Sequence, residues 1–154
     1  MKNIITLLVL LITLSSFSQQ LRLNEVDEFT GKTKKISKFY FAGPQLKTAF
    51  GRINSTVFLQ VKQTNENIDL GCAGAHDGYV IILFIDGTSI KLMDKADIDC
   101  RDNSASVFYV TDELKMELLR NTVKKIRFFQ GDFYQDYTPY GTYSLRQQIN
   151  TVIN

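Results

Sequence analysis

His76, Cys72, Cys100 and the carboxylates Asp77, Asp97, Asp99 and Asp132 are the residues whose types and places suit acid–base or nucleophilic chemistry. His76 lies in the stretch Gly71-Cys-Ala-Gly-Ala-His-Asp-Gly78, beside Asp77. A Ser-His-Asp or Cys-His system needs a histidine oriented by an acid. Neighbours in sequence usually point apart, and the chain has no Gly-x-Ser-x-Gly turn to present a nucleophile. His76 therefore reads as a solvated loop residue. One histidine and two cysteines most simply paired with each other also serve a zinc site poorly. The four aspartates keep one enzymatic alternative open, a carboxylate-based, glycosidase-like hydrolase, because that chemistry needs only two acids at a set separation.

The run Asp94-Lys-Ala-Asp-Ile-Asp-Cys-Arg-Asp-Asn103 has the oxygens for a hard cation in Asp97, Asp99, Asp102 and Asn103. Calcium takes about six to eight oxygen ligands. Where an EF-hand loop would place its third oxygen ligand stands Arg101, and Lys95 dilutes the charge further. The run reads as a solvated turn between strands. No metal site and no cofactor is expected.

Seven aromatics crowd one segment: Phe128, Phe129, Phe133, Tyr134, Tyr137, Tyr140 and Tyr143. A tyrosine offers an apolar ring with a polar tip, which suits contact with a sugar or a protein. The chain has no tryptophan, which weakens the carbohydrate case. Sheet packing accounts for several of these rings. Tyr134, Tyr137 and Tyr140, on the more polar part, are the candidate binding surface. Lys32, Lys34, Lys35 and Lys38 could touch an anionic lipid or glycan, but their alternation with Thr33, Ile36 and Ser37 suits the charged face of an edge strand.

The amino terminus sets the compartment. Lys2 precedes an apolar run, Ile4 to Leu14, and Ser16-Phe17-Ser18 supplies small residues for a signal-peptidase cut before Gln19. A membrane span needs about 20 apolar residues, and this run falls well short. No cysteine sits at the cleavage region for lipid attachment. The expected product is exported, periplasmic or secreted, with no stable membrane insertion after cleavage. Removing residues 1–18 leaves 154 − 18 = 136 residues, enough for the single domain expected over 19–154. The segment carries one charge, so the mature net charge is (18 − 1) − 16 = +1. That argues against a dedicated nucleic-acid binder, which would be strongly basic. In an oxidising compartment Cys72 and Cys100 are most simply a disulfide, the alternative being two buried thiols. Closing that loop would add about 3–4 kcal/mol on the chain-entropy model.

Several elements must position these residues. Leu21 to Phe29 alternates loosely and turns at Thr30-Gly31, and Lys34 to Phe41 extends to a break at Gly43-Pro44. A period of two runs from Ile53 to Val61, with Val57, Leu59 and Val61 on one face. Tyr79 to Met93 is a hairpin about Asp86-Gly87. A two-residue loop there pairs Leu83 with Ile90 and Ile81 with Leu92, so Ile81, Leu83, Ile85, Ile90 and Leu92 form the core face. The first strand, apolar on both faces, is expected to be central, and the second nearer an edge. Ser104 to Val110 is a short strand. Thr111 caps a helix whose Leu114 and Leu118 face the sheet. Val123 to Gln130 and Phe133 to Tyr137 are strands, with Ile126 and Phe128 inward. A last helix from about Thr142 aligns Leu145, Ile149 and Val152. No regular βαβ alternation appears, so the fold class is β-dominated α+β: a largely antiparallel, bent or partly closed sheet with two short helices.

Val26-Asp-Glu-Phe-Thr-Gly31, the Ile85-Asp-Gly-Thr88 hairpin, and Thr111-Asp-Glu-Leu114 leading to Lys125-Ile-Arg127 together resemble small uncharacterised exported proteins of Bacteroidota-type bacteria. The likeness spans most of the mature chain. It implies export and a single domain, and carries no activity or catalytic residue with it. The functional expectation is a non-enzymatic exported module that binds an envelope protein or a glycan. The alternatives are the hydrolase above and a structural envelope protein with no dedicated site.

Overall fold

The computed structural model describes residues 20–63, 78–93, 106–130, 133–140 and 144–154. The proposed signal segment, Cys72 and Cys100, His76, the four aspartates of the hydrolase alternative, the acidic run and Tyr143 lie outside the described residues. The described chain runs β1 (Leu21–Val26), β2 (Thr33–Ser37), β3 (Tyr40–Gly43), β4 (Leu46–Ile53), β5 (Thr56–Gln63), β6 (Tyr79–Phe84), β7 (Ser89–Met93), β8 (Ser106–Tyr109), α1 (Asp112–Arg120), β9 (Val123–Gln130), β10 (Phe133–Tyr137) and α2 (Leu145–Ile153).

The fold is β-dominated α+β, as the element order implies. Its antiparallel strands divide into two sheets rather than forming one bent sheet. The larger has the order β1-β2-β4-β5-β8 with β3 also beside β4, and the smaller has the order β10-β9-β6-β7. The inner faces of both sheets meet in one core. Phe50, Leu59 and Phe108 come from the larger sheet, and Val80, Ile82, Phe84, Ile126 and Phe128 from the smaller. Leu114 and Leu118 of α1, with Leu145, Ile149 and Val152 of α2, close it. Both helices start as their sequences direct: Thr111 Oγ1 accepts from Leu114 N, and Ser144 forms a capping box with Gln147. A polar link crosses the core, where buried Thr48 Oγ1 donates to buried Gln148 Oε1 at 2.9 Å.

Three expectations are corrected. Strand β4 was not anticipated: Ile53 ends it rather than beginning the next strand. Its sequence, Leu-Lys-Thr-Ala-Phe-Gly-Arg-Ile, lacks alternation because it is buried on both faces, with small residues at Ala49 and Gly51. Asn54, at φ 53°, makes the turn into β5, a backbone region that asparagine tolerates.

The β6–β7 register differs by one residue. Phe84 N donates to Thr88 O (2.9 Å) and Gly87 N to Phe84 O (3.1 Å), so the loop is Ile85-Asp86-Gly87, three residues rather than two. Gly87 takes φ 92° after the turn, the arrangement of a three-residue hairpin with a bulge. Asp86 Oδ1 secures it by accepting from Thr88 N and Thr88 Oγ1. Ile82 therefore opposes Ile90 and Val80 opposes Leu92. A slip of one exchanges the faces of a strand. Val80, Ile82 and Phe84 enter the core, while Tyr79, Ile81 and Leu83 face outward. Within the smaller sheet β6 is central and β7 lies at the edge, as expected.

Strand β2, bearing Lys34 and Lys35, is not an edge strand. It is paired on one side with β1 and on the other with β4.

Candidate functional site

With the register corrected, the outer face of the smaller sheet becomes a defined surface. Directly opposed residues of adjacent strands share a face. Tyr134 opposes Phe129, Phe129 opposes Tyr79, and Tyr79 opposes Met93. One row across all four strands is thus Tyr134–Phe129–Tyr79–Met93. The next row is Asp136–Arg127–Ile81–Lys91, from the same ladders.

The two rows interlock. Tyr79 and Phe129 stack with ring centroids 4.0 Å apart and planes 17° from parallel. Phe129 and Tyr134 are tilted, with centroids 5.4 Å apart. Lys91 Nζ sits 3.8 Å from the Tyr79 centroid, and the Arg127 guanidinium 4.2 Å from that of Tyr134. Phe129 fills one face of Tyr79, so only the opposite face has room for the Lys91 ammonium. Each cation is drawn to the electron-rich face of a ring.

Asp136 fixes the cationic row. Its carboxylate accepts from Arg127 Nε, from Arg127 Nη2 at 2.8 Å and from Lys125 Nζ at 3.3 Å. The Arg127 hydrogen bonds, aided by those of Lys125, hold the Asp136 carboxyl down at about 2, and the same pair raises Arg127 above its ordinary value. Among the described residues, one acid against three cations leaves the face positive. It offers positive charge, ring edges, tyrosine hydroxyls and the half-exposed Met93 to whatever meets it.

The three tyrosines singled out from the sequence do not form one surface. Tyr134 is 58 % exposed and belongs to the row. Tyr137 is 2 % exposed and packs in the core, because it opposes inward-facing Ile126. Tyr140 is exposed at the mouth of a cavity of about 270 Å³ between α1, α2 and the β3 end of the larger sheet. Tyr79, Lys91 and Arg127 were missed as site residues. Strand alternation already put Lys91 and Arg127 outward; it would have set Tyr79 beside them had the hairpin register been right, since a two-residue loop turns the outer row of β6 into the core.

No protein-family model matches the chain, and comparison with curated proteins and with solved structures returned no match.

Proposed function

We propose that this chain is an exported, non-enzymatic module that binds a protein partner through the outer face of its smaller sheet. One arrangement carries the reading, the interlocked Tyr134–Phe129–Tyr79 and Arg127–Lys91 rows. Tyrosine and arginine are enriched among the residues that dominate binding energy, and aromatics and methionine are enriched at interfaces. Here they are ordered by their neighbours before any partner arrives, which lowers the entropy lost on binding. A protein is favoured over a glycan by the use made of the rings. Both faces of Tyr79 are occupied, and Arg127 lies over one face of Tyr134, whereas a sugar needs an open ring face to stack on. Export rests on the charged, apolar and small-residue order of residues 1–18.

The test places a photo-crosslinking amino acid at Tyr134 in the cells that make the protein, with Glu113 on α1 as a control position. A discrete protein adduct at 134, absent at 113 and lost with Arg127→Glu, is expected. Equal adducts at both positions, or adducts to polysaccharide alone, would overturn the proposal.

A further inference from the structure

The turn between β1 and β2 is closed by its own hydrogen bonds, and it holds a phenylalanine out into solvent. Asp27 Oδ1 accepts from Phe29 N at 3.0 Å and from Thr30 N at 2.7 Å. Gly31 N donates to Asp27 O, and Asp27 N donates to Lys32 O, closing the loop. Gly31 takes φ 67°, which a glycine adopts without strain. Phe29 is 99 % exposed, and Val26 and Ile53 beside it are also exposed. A turn needs polar or small residues for its geometry, and Asp27 and Gly31 meet that need here. The ring of Phe29 contributes nothing to the turn itself.

At the opposite end of β4 lies the cavity of about 270 Å³ noted above, walled by Phe41, Leu118, Val123, Pro139 and Leu145. A cavity of about 150 Å³ accommodates a benzene ring, so a phenyl group with its methylene fits here. Phe29 cannot reach the cavity of its own chain. Ile53, beside the turn, and Leu46, next to the cavity end, are separated by the length of β4, about 23 Å at ~3.3 Å per residue. Charge favours the same match. The turn carries Asp27 and Glu28 next to Phe29, with Lys32 across from Asp27, and one step back Glu25 opposes Lys34, so the acids outnumber the cations. Arg146 is the charged residue of the cavity wall, and Lys47 rests 4.6 Å from the centroid of Phe41 at its edge.

We propose that the chain associates head to tail, Phe29 of one copy seating in the cavity between α1, α2 and β3 of the next. Two different surfaces meet in such a contact, so it repeats from copy to copy until a ring closes or a filament grows. The contact centres on a single ring, so the affinity is expected to be weak. It uses neither Tyr134 nor Arg127, so it stands or falls apart from the partner proposed for the smaller sheet.

Sedimentation of the exported chain over rising concentration tests it. The wild-type weight-average mass should climb, while Phe29→Ser and Thr122→Trp, which fills the cavity mouth from an exposed position, each remain monomeric. Mixed together, the two variants should form a 1:1 dimer and stop there, since one retains only the cavity and the other only the ring. As a second readout, unlabelled wild-type chain added to isotope-labelled Phe29→Ser should shift the amides of Thr122 and Arg146 but not those of Val26 and Gly31. A wild-type chain that stays monomeric at its highest soluble concentration would overturn the proposal. So would a Phe29→Ser chain that associates like wild type, or unchanged Thr122 and Arg146 amides.

Discussion

The outer faces of the two sheets obey the same alternation rule and end differently. On the larger sheet the outward residues Ile36, Ala49 and Phe58 are buried although they lie outside the main core. Ile36, Gly51 and Phe58 stand in one row across β2, β4 and β5. A Cβ built on Gly51 would come within 2.1 Å of Phe58 Cζ, so the phenyl ring lies flat over the glycine. Arg22 reaches over this side from β1 to Gln60 and rides 5.0 Å above the Phe39 ring. The smaller sheet has no glycine in its central pair of strands. Its rings stand up, stack on one another and take cations on their free faces. A missing side chain lets one face fold its aromatic down and seal itself. Full-sized neighbours hold the aromatics of the other upright, with Tyr134 out in solvent.

The largest effect is expected at Gly51. Gly51→Ala forces Phe58 from its place and should cost about 1–3 kcal/mol, read as a lower denaturant midpoint. Adding Phe58→Leu should return part of the loss, and additive losses would sink the account of this face. Phe129→Ala, in the middle of the upright row, should cost less, about 1–2 kcal/mol, through lost burial and stacking. It should also leave Tyr79 and Tyr134 with faster ring motion by NMR. Unchanged ring dynamics would mean that the row is not a unit.

The smallest effect is electrostatic. The Asp136 carboxyl is held at about 2, below its unfolded value, by Arg127 and Lys125. A depressed carboxylate adds stability above the unfolded pKa and loses it as pH falls through the folded one. Stability from this group should therefore fade between about pH 4 and pH 2, and only slightly, because the cluster is half-exposed and solvent-screened. Carboxyl-carbon NMR should place the Asp136 midpoint near 2, rising toward the ordinary range in Arg127→Gln. An unmoved midpoint would show that the guanidinium is not what holds it down.

Much of the architecture was legible because local physics decided it. Thr111 before Asp112-Glu113 marks the start of α1, and Leu114 and Leu118 at helical spacing mark its buried face. Val123–Gln130 and Phe133–Tyr137 carry clear alternation, and their inward residues Ile126 and Phe128 are buried. Strand β4 was illegible, since a strand buried on both faces has no alternation to read. Of the site, Phe129 and Tyr134 were visible in the aromatic cluster, but Tyr79 was hidden by the register of a hairpin. Tyr137 looked like Tyr134 in composition. Three positions along the same short strand place one in the core and the other in solvent.

By itself the sequence determined the fold class, both helices, the places of the turns at Thr30-Gly31 and Asp86-Gly87, and a near-neutral charge. These follow from periodicity, capping and composition, each settled within a few residues. The tertiary structure alone decided that there are two sheets, which way β6 faces, and that Phe29 and the cavity lie at opposite ends of β4. Those are relations between segments far apart in the chain. A one-residue change in a loop reverses a face, and no short-range pattern fixes what lies across a sheet.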